Sequence, residues 1–401
     1  MNKQINIVYD FLDELGGIER VIAFQANALK QTKKFDPKIF FSHIAKGKEE
    51  LLKEQLCLAN GVSIMQPTNG SNKIINFAKH MMFPDRFYGL PGPIISHSFL
   101  SSRMALTRKN RGEGNYIIIA QHPPNFLYDR TWAWVNNLPR FVAYTAGWFL
   151  GPLLRKWDKE AMMGADTIYV NSEYTKKRIE RIYNHPNVKI MYPPIDERFK
   201  VSTGDKRKAQ KMILEDREIK TDFVLMHGRQ IKDKHPEWAI KAFNLMKDTS
   251  LCLVISGTIE EKNKLVDLIS DLGITNRVHL LGHVSEEELL ALYNHAKCFI
   301  MSAPKEDFGL TTVEALACGT PAIAWDDGAG PSEVITKDNG LLAKPYDIID
   351  MSMKLDKIVE KNYDRNKISK SVDKFKAKKI KEEFLDAVKE AALEYEYKYH
   401  S

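Results

Sequence analysis

The chain has 401 residues, of which 44% are hydrophobic and 28% are charged, and this describes a soluble globular protein long enough for two domains. Its formal net charge of +7 suits anionic ligands or an acidic membrane surface. That charge is too small to argue for a nucleic-acid partner.

Short β-branched runs alternate with amphipathic helical segments along the chain. The first series of predicted strands is INIVY (5–9), KIFFS (38–42), YIIIA (116–120), TIYVN (167–171) and VKIMY (188–192). The second series is FVLMHG (223–228), LCLVISG (251–257), RVHLLG (277–282), CFIMS (298–302) and PAIAW (321–325). Nearly continuous apolar strands separated by helices predict parallel sheets that are covered on both faces. One helix is clearly bounded, because SEEELLALYNHA begins with Ser285 as N-cap and carries Glu288 at the capping-box position.

Two such series predict two doubly wound domains. The boundary falls in YPPIDERF (192–199), where consecutive prolines force an extended chain. We expect domains over residues 1–194 and 195–378. Ligands of doubly wound sheets bind beyond the carboxyl ends of the strands, so we expect a site in a cleft between the two domains.

The cysteines and the apolar runs indicate a cytoplasmic protein. Four cysteines lie far apart and form no C-x-x-C pair, as is typical of buried thiols in a reducing compartment: Cys57, Cys252, Cys298 and Cys318. The start, MNKQINIVYDFLDE, lacks the apolar stretch of a signal peptide. No run approaches the roughly 18 apolar residues that span a bilayer. The most apolar segment, 141–154, is short and is interrupted by Gly151-Pro152.

A glycine pair follows the first predicted strand. Gly16-Gly17 precedes a helix, so the backbone could approach a ligand closely and its N–H groups would favour an anion. The alternative is a flexible turn. Neither this pair nor Gly328-Ala-Gly330-Pro-Ser-Glu333 is a G-x-G-x-x-G fingerprint, which argues against a nicotinamide enzyme.

Two cations follow the strand FVLMHG. Arg229 comes directly after it and Lys234 lies five residues further on. An arginine fork and a lysine point charge suit a diphosphate. The alternative is that both belong to a solvated face.

Two carboxylates lie in PKEDFGLTTVEALACGTP (304–321). Phe308-Gly309-Leu310 marks a helix start, where free N–H groups could bind phosphate or a sugar. Carboxylates accept hydrogen bonds from vicinal hydroxyls, which gives Glu306 and Glu314 roles beside a nucleotide-sugar. Alternatively, Glu306 complements the helix dipole and Glu314 faces solvent. The apolar neighbours of Glu314 argue against the second alternative, since a buried carboxylate needs a partner.

These segments together resemble the family-4 retaining glycosyltransferases of the GT-B fold. The resemblance rests on E-x(7)-E with an internal FG, on the following EALACGTPAIA, and on HGRQIKDKHPEWAIKAF. GGIERVI, NSEYTKKRI and YPPID resemble further family segments, and all occur in the family's order across nearly the whole chain. The resemblance implies an α/β protein with two Rossmann-like domains facing a central cleft. It also implies acceptor binding by 1–194, completed by a C-terminal helix (about 379–401), and donor binding by 195–378.

The resemblance assigns roles to the candidate residues. Arg229 and Lys234 would hold the donor diphosphate, Glu314 the ribose, and Glu306 the donor sugar. Further contacts with the substrate are implied for Gly16, Gly17, Phe308, Gly309, Leu310, Thr311 and His283, the last beside the nucleobase. No catalytic nucleophile is expected, because the leaving phosphate would accept the proton of the acceptor hydroxyl.

No cofactor is expected, since the nucleotide-sugar is a co-substrate. No two aspartates are spaced as D-x-D, the pair that holds a divalent ion in GT-A enzymes. We therefore expect metal-independent transfer.

His122 follows a predicted strand in HPPNFLYD, which resembles a variant of the family's His-x-Pro segment found among mannosyltransferases. His122 would contact the donor sugar or assist the acceptor; the alternative is a satisfied core histidine. GDP-mannose is the favoured donor on this resemblance, with UDP-glucose or UDP-N-acetylglucosamine as alternatives. A GT-B-fold epimerase and a catalytically inactive nucleotide-sugar sensor remain competing functions.

Aromatic and basic residues are interleaved in segment 126–157. They are Phe126, Tyr128, Trp132, Trp134, Phe141, Tyr144, Trp148, Phe149 and Trp157, with Arg130, Arg140, Arg155 and Lys156. This composition suits a membrane interface, where a lipid-linked glycan acceptor would lie. The alternative is that most of these aromatics are core.

Overall fold

The computed structural model describes residues 3–13, 16–55, 58–66, 76, 79–80, 82–83, 92–128 and 140–400. Within them the chain forms two compact units: Met1–Pro194 with Lys378–Ser401, and Ile195–Ala377.

The first unit contains a seven-stranded parallel sheet with strand order β3-β2-β1-β4-β5-β6-β7. Its strands are β1 (Lys3–Leu12), β2 (Phe35–Ile44), β3 (Ser63–Met65), β4 (Ile94–Ser96), β5 (Tyr116–Ala120), β6 (Thr167–Val170) and β7 (Val188–Ile190). Its helices are α1 (Gly17–Gln31), α2 (Lys48–Gln55), α3 (Phe99–Asn110), α4 (Asn125–Tyr128), α5 (Arg140–Met163), α6 (Glu173–Tyr183) and, from the end of the chain, α15 (Ala377–His400).

The core of the first unit lies on both faces of this sheet. Alternate residues of β5 point to opposite faces, so Ile117 and Ile119 pack in one apolar cluster and Ile118 in the other. Phe384 of α15 is fully buried in the first cluster. The helix that ends the chain is therefore part of the first unit's core.

The second unit contains a six-stranded parallel sheet with strand order β10-β9-β8-β11-β12-β13. Its strands are β8 (Phe223–His227), β9 (Cys252–Ser256), β10 (Val278–Gly282), β11 (Cys298–Ile300), β12 (Ala322–Trp325) and β13 (Gly340–Ala343). Its helices are α7 (Gly204–Asp216), α8 (Pro236–Asn244), α9 (Lys262–Asp271), α10 (Glu286–His295), α11 (Leu310–Ala317), α12 (Gly330–Val334), α13 (Ile348–Glu360) and α14 (Arg365–Lys370). Short 3-10 turns lie at Lys232–Lys234, Thr275–Arg277 and Asp373–Phe375.

The two predicted parallel sheets are confirmed, and so is the capping box at the start of α10. The Ser285 hydroxyl accepts from the Glu288 amide at 3.2 Å, and the Glu288 carboxylate accepts from the Ser285 amide at 2.6 Å. Three strands, β3, β4 and β13, were not predicted. They span only three or four residues, too few to show a period in the sequence.

Candidate functional site

The carboxyl ends of β8, β9 and β10 are bonded to one another. The Gly228 amide donates to the Ser256 carbonyl at 3.2 Å, and the Gly257 amide donates to the Gly282 carbonyl at 2.7 Å. A Cβ atom on Gly257 would lie 2.0 Å from the Gly228 carbonyl oxygen, so the two backbones approach as closely as glycine alone allows. This contact brings the residues that follow β8 and β10 to one edge of the sheet.

Arg229 and His283 both lie at that edge. Arg229 is exposed and follows the Gly228 turn directly, and the exposed His283 follows Gly282. The placement matches what a strand-end ligand site requires in a doubly wound sheet.

Lys234 ends the 3-10 turn Lys232–Lys234 and is held there through its backbone. The buried Ser302 hydroxyl, just beyond β11, lies 3.0 Å from the carbonyl oxygens of both Lys234 and His235. The loop after β8 is therefore tied to the end of β11, the next strand in the sheet.

Lys234 and Glu306 form an ion pair between these two loops. Their side chains are 31% and 18% exposed, so both charges are partly desolvated. The cation predicted for a diphosphate and the carboxylate predicted for a sugar are thus in direct contact. Nothing in the sequence indicates this pairing.

The loop before α11 is fixed by the segment that follows β12. The Lys305 amide donates to Asp327 Oδ2 at 2.7 Å, and the Gly330 amide donates to the Glu306 carbonyl at 2.9 Å. A Cβ atom on Gly330 would lie 2.3 Å from Phe308 Cα, so this packing depends on the missing side chain. The GAGP segment, which did not resemble a dinucleotide fingerprint, supports the Glu306 loop instead.

Helix α11 begins at Leu310, as predicted. Gly309 is its N-cap with φ of +80°, and the buried Phe308 ring packs edge-on against Phe375 with centroids 5.4 Å apart. Thr311 is half-buried, and its Cγ2 lies 3.9 Å from where a Cβ on Gly228 would be. The start of α11 therefore adjoins the end of β8.

Glu314 is buried in α11 with 3% of its surface exposed, so the alternative that it faces solvent is wrong. Its Oε2 accepts a hydrogen bond of 2.9 Å from the hydroxyl of Tyr293 on α10. Burial, with the charge of Glu314 adding to it, raises the pKa of the Cys318 thiol to about 12. This thiol is neutral near pH 7.

The other three predicted site residues belong to the first unit. Gly16 is the N-cap of α1 and its amide donates to Glu19 Oε2 at 2.8 Å, while Gly17 is the exposed first residue of that helix. His122 is exposed, with Nδ1 2.9 Å from the Pro123 carbonyl oxygen, so the core-histidine alternative is wrong.

The aromatic-plus-basic segment is only partly described. Residues 129–139, which include Arg130, Trp132 and Trp134, lie outside the described residues, as does Cys57. Tyr128 donates to Asp158 at 2.7 Å, and the Arg103 guanidinium stacks 3.4 Å above the Trp157 ring. These two aromatics therefore make internal contacts.

Two kinds of feature, metal clusters and membrane spans, are absent from the part of the chain that the structure describes. That part contains no group of three or more His, Cys, Asp or Glu side chains that could hold a metal ion. In the same part of the chain, no helix is long and apolar enough to cross a membrane.

One protein-family model matches most of the second unit. Residues 210–375 match the family model of glycosyl transferases group 1. The matched stretch lies inside the second unit, Ile195–Ala377. This glycosyl transferases group 1 region contains nine of the twelve predicted site residues, all those from Arg229 to Glu314.

Two curated glycosyltransferases are similar to about half of this chain. A D-inositol 3-phosphate glycosyltransferase from Mycobacterium sp. (strain KMS) is 29% identical over 218 residues, 52% of this chain and 48% of that protein. An uncharacterized glycosyltransferase from Methanocaldococcus jannaschii is 29% identical over 223 residues, 53% of each chain. The chain thus spans about half the length of these curated relatives.

Solved structures resemble the fold over almost the whole chain. Sucrose-phosphate synthase from Thermosynechococcus elongatus has a TM-score of 0.75 at 16% identity, covering 97% of this chain and 99% of that one. Anabaena HepE in complex with UDP has a TM-score of 0.72 at 15% identity, covering 97% and 100%. At such identities the likeness concerns the fold, and with the two parallel sheets it confirms the predicted GT-B class.

Sequence reasoning missed Tyr293 and Asp327. Tyr293 occupies an apolar position of an amphipathic helix, where a core tyrosine and a functional one give the same pattern. Asp327 stands in a turn, where aspartate is common.

Proposed function

We propose that this chain is a retaining glycosyltransferase that moves a hexose from a nucleotide-sugar to an acceptor hydroxyl of a glycan or lipid-linked glycan. The observation that carries the proposal is the contact between Lys234 and Glu306, beside the Gly228 turn and the start of α11. A nucleotide-sugar has an anionic diphosphate next to a hydroxyl-rich sugar. A cation and a carboxylate side by side suit these two parts of one ligand.

The roles follow the chemistry of each group. Arg229 and Lys234 bind the diphosphate, together with amides at the start of α11. Glu306 accepts hydrogen bonds from the donor sugar, and Glu314 accepts them from the ribose. His283 borders the nucleobase. From the first unit, Gly16, Gly17 and His122 contact the substrates.

The proposed step is a front-face displacement. The bond between the anomeric carbon and the acceptor oxygen forms as the bond to the phosphate oxygen breaks. The nucleoside diphosphate leaves with the bonding electrons, and its phosphate oxygen takes the proton of the acceptor. Arg229 and Lys234 stabilise the departing charge, an effect worth about a hundredfold or more in rate for each donor.

The favoured donor is GDP-mannose, on the mannosyltransferase-like segments HPPNFLYD and YPPID. UDP-glucose is a specific alternative, because the HepE structures of similar fold contain UDP, or UDP with glucose. UDP-N-acetylglucosamine is the third.

A thermal-shift panel of the three donors tests the proposal first, because a ligand that binds only the folded chain raises its unfolding temperature. The donor that shifts the transition is then offered with candidate acceptors. R229A and K234A should each lower transfer about a hundredfold or more. K220A is the matched control, because Lys220 is an exposed cation at the opposite, amino end of β8.

Full transfer by R229A and K234A would contradict the proposed site. Release of an altered sugar without any acceptor would favour the epimerase.

Metal independence is tested in the same assay. Transfer should be unchanged in chelator, since Arg229 and Lys234 supply the positive charge. Complete loss of turnover that manganese restores would overturn this expectation.

A cytoplasmic location with peripheral contact at an anionic membrane completes the proposal. The exposed Leu150 and Leu153 of α5 support it, at 49% and 42% exposure beside the basic Arg155 and Lys156. The chain should float with anionic liposomes, and L150D/L153D should not; a wild-type chain that stays at the bottom of the gradient removes the membrane contact.

A further inference from the structure

Tyr293 contacts both segments to which nucleotide binding is assigned. Its hydroxyl donates to Glu314 Oε2 at 2.9 Å. Its ring meets the His227 ring edge-on, with centroids 5.8 Å apart, and His227 is the residue before Gly228-Arg229. One side chain therefore joins the ribose carboxylate to the end of β8.

The ring of Tyr293 is held on its other sides as well. It is fully buried, and it packs against Phe199 and Phe299 at centroid distances of 5.8 and 6.0 Å. The Thr320 hydroxyl donates to its backbone carbonyl. Because ring and backbone are both fixed, the direction of the hydroxyl toward Glu314 is fixed too.

Burying the Glu314 carboxylate at this position costs free energy. All residues of α11 from Thr312 to Ala317 are buried. A charged carboxylate in such surroundings must be hydrogen-bonded. A hydrogen bond to a charged acceptor is stronger than one between neutral groups. The Tyr293 hydroxyl thus holds the carboxylate in place within an apolar helix.

We propose that Tyr293 is a positioning residue, which orients the Glu314 carboxylate toward the ribose hydroxyls of the nucleotide. The inference rests on the proposed function, because it needs a nucleotide at this site. If Tyr293 positions Glu314, loss of its hydroxyl selectively weakens ribose recognition. Loss of the hydroxyl from a purely structural tyrosine would not have this selective effect.

The test compares a nucleoside diphosphate with its 2′,3′-dideoxy counterpart, using the base of whichever donor binds. Calorimetry on the full chain gives both dissociation constants, and their ratio measures ribose recognition. Y293F should weaken the ribonucleotide about tenfold, as expected for one lost hydrogen bond to a charged group. It should leave the dideoxynucleotide within about twofold, so the ratio falls by most of that factor.

Y183F is the matched control. The Tyr183 hydroxyl also donates to a buried carboxylate, that of Asp158, at 2.6 Å, but in the first unit. Y183F removes the same kind of bond and should leave the ratio unchanged. In a Y293F/E314Q double variant the ratio should equal that of E314Q alone, because Tyr293 acts through Glu314.

Two outcomes overturn the inference while nucleotide binding stands: Y293F keeps the wild-type ratio, or it weakens both nucleotides equally. Should Y293F fail to fold, p-aminophenylalanine at position 293 keeps a ring-borne donor and should retain a ratio near that of the wild type. A wild-type ratio there supports the inference, and a ratio as low as that of E314Q overturns it. If the wild-type chain binds no nucleoside diphosphate, the proposed function itself fails, and the inference fails with it.

Discussion

Asp158 should make the first unit less stable as the pH rises from 4 to 7. It is 2% exposed on α5, and its Oδ2 accepts from the hydroxyls of Tyr128 at 2.7 Å and Tyr183 at 2.6 Å. Burial raises the pKa of this carboxyl from the ordinary 3.8 to about 6, and the two hydroxyl donors offset only part of the effect.

The sign follows from where the proton is bound. Between pH 3.8 and about 6 the folded chain keeps the Asp158 proton, whereas the unfolded chain has lost it. The stabilisation is fully present below pH 3.8 and disappears as the pH rises through about 6. The pKa difference corresponds to about 3 kcal/mol in the free energy of unfolding.

D158N removes this titration. Amide hydrogen exchange in β6 and α6 measures the opening free energy of the first unit separately from the second. The difference between wild type and D158N should change by roughly 2 to 3 kcal/mol from pH 4 to pH 7. D36N is the control, because Asp36 carries the same charge in the same unit but is 40% exposed. If wild type and D158N follow parallel pH profiles, burial does not govern this carboxyl and the reasoning is refuted.

His97 gives the opposite slope, because burial lowers the pKa of this imidazole to about 3. Below pH 6.5 only the unfolded chain gains the His97 proton, so at pH 4 the wild type should have lost about 3 kcal/mol of its free energy of unfolding. H97Q should retain that free energy, as measured by hydrogen exchange in the first unit. Identical acid sensitivity of the two proteins would contradict this. G330A should lower the free energy of unfolding of the second unit by roughly 2 to 4 kcal/mol and weaken donor binding, because its Cβ meets the Phe308 backbone at 2.3 Å. In urea unfolding, G17A should be neutral, since a Cβ there has nothing within 4 Å; equal effects of the two substitutions would show that close approach is not the cause.

The sequence predicts the sheets of this fold well because their central strands are long apolar runs. Apolar β-branched runs such as YIIIA and CLVIS favour a strand buried on both faces. The three strands that were not predicted, β3, β4 and β13, span only three or four residues, and only pairing with neighbouring strands defines them.

In the candidate site, too, some features can be predicted from the sequence and others cannot. Arg229, Glu306 and Glu314 can be found from their positions after strands and within a motif. The contacts of Lys234 with Glu306 and of Tyr293 with Glu314 join residues 72 and 21 positions apart. Side-chain pairs at such separations depend on how the loops and helices pack, so no local pattern indicates them.

The first unit is assembled from two separate stretches of chain, and this has a consequence for biosynthesis. The buried Phe384 and Val388 of α15 pack in its core, and the Asn115 side chain donates to the Ala391 carbonyl at 2.6 Å. On the ribosome, the second unit has all its residues before α15 emerges, whereas the first must wait with an apolar face uncovered. A chain truncated after Ala377 would therefore have a complete second unit beside an incomplete, aggregation-prone first one.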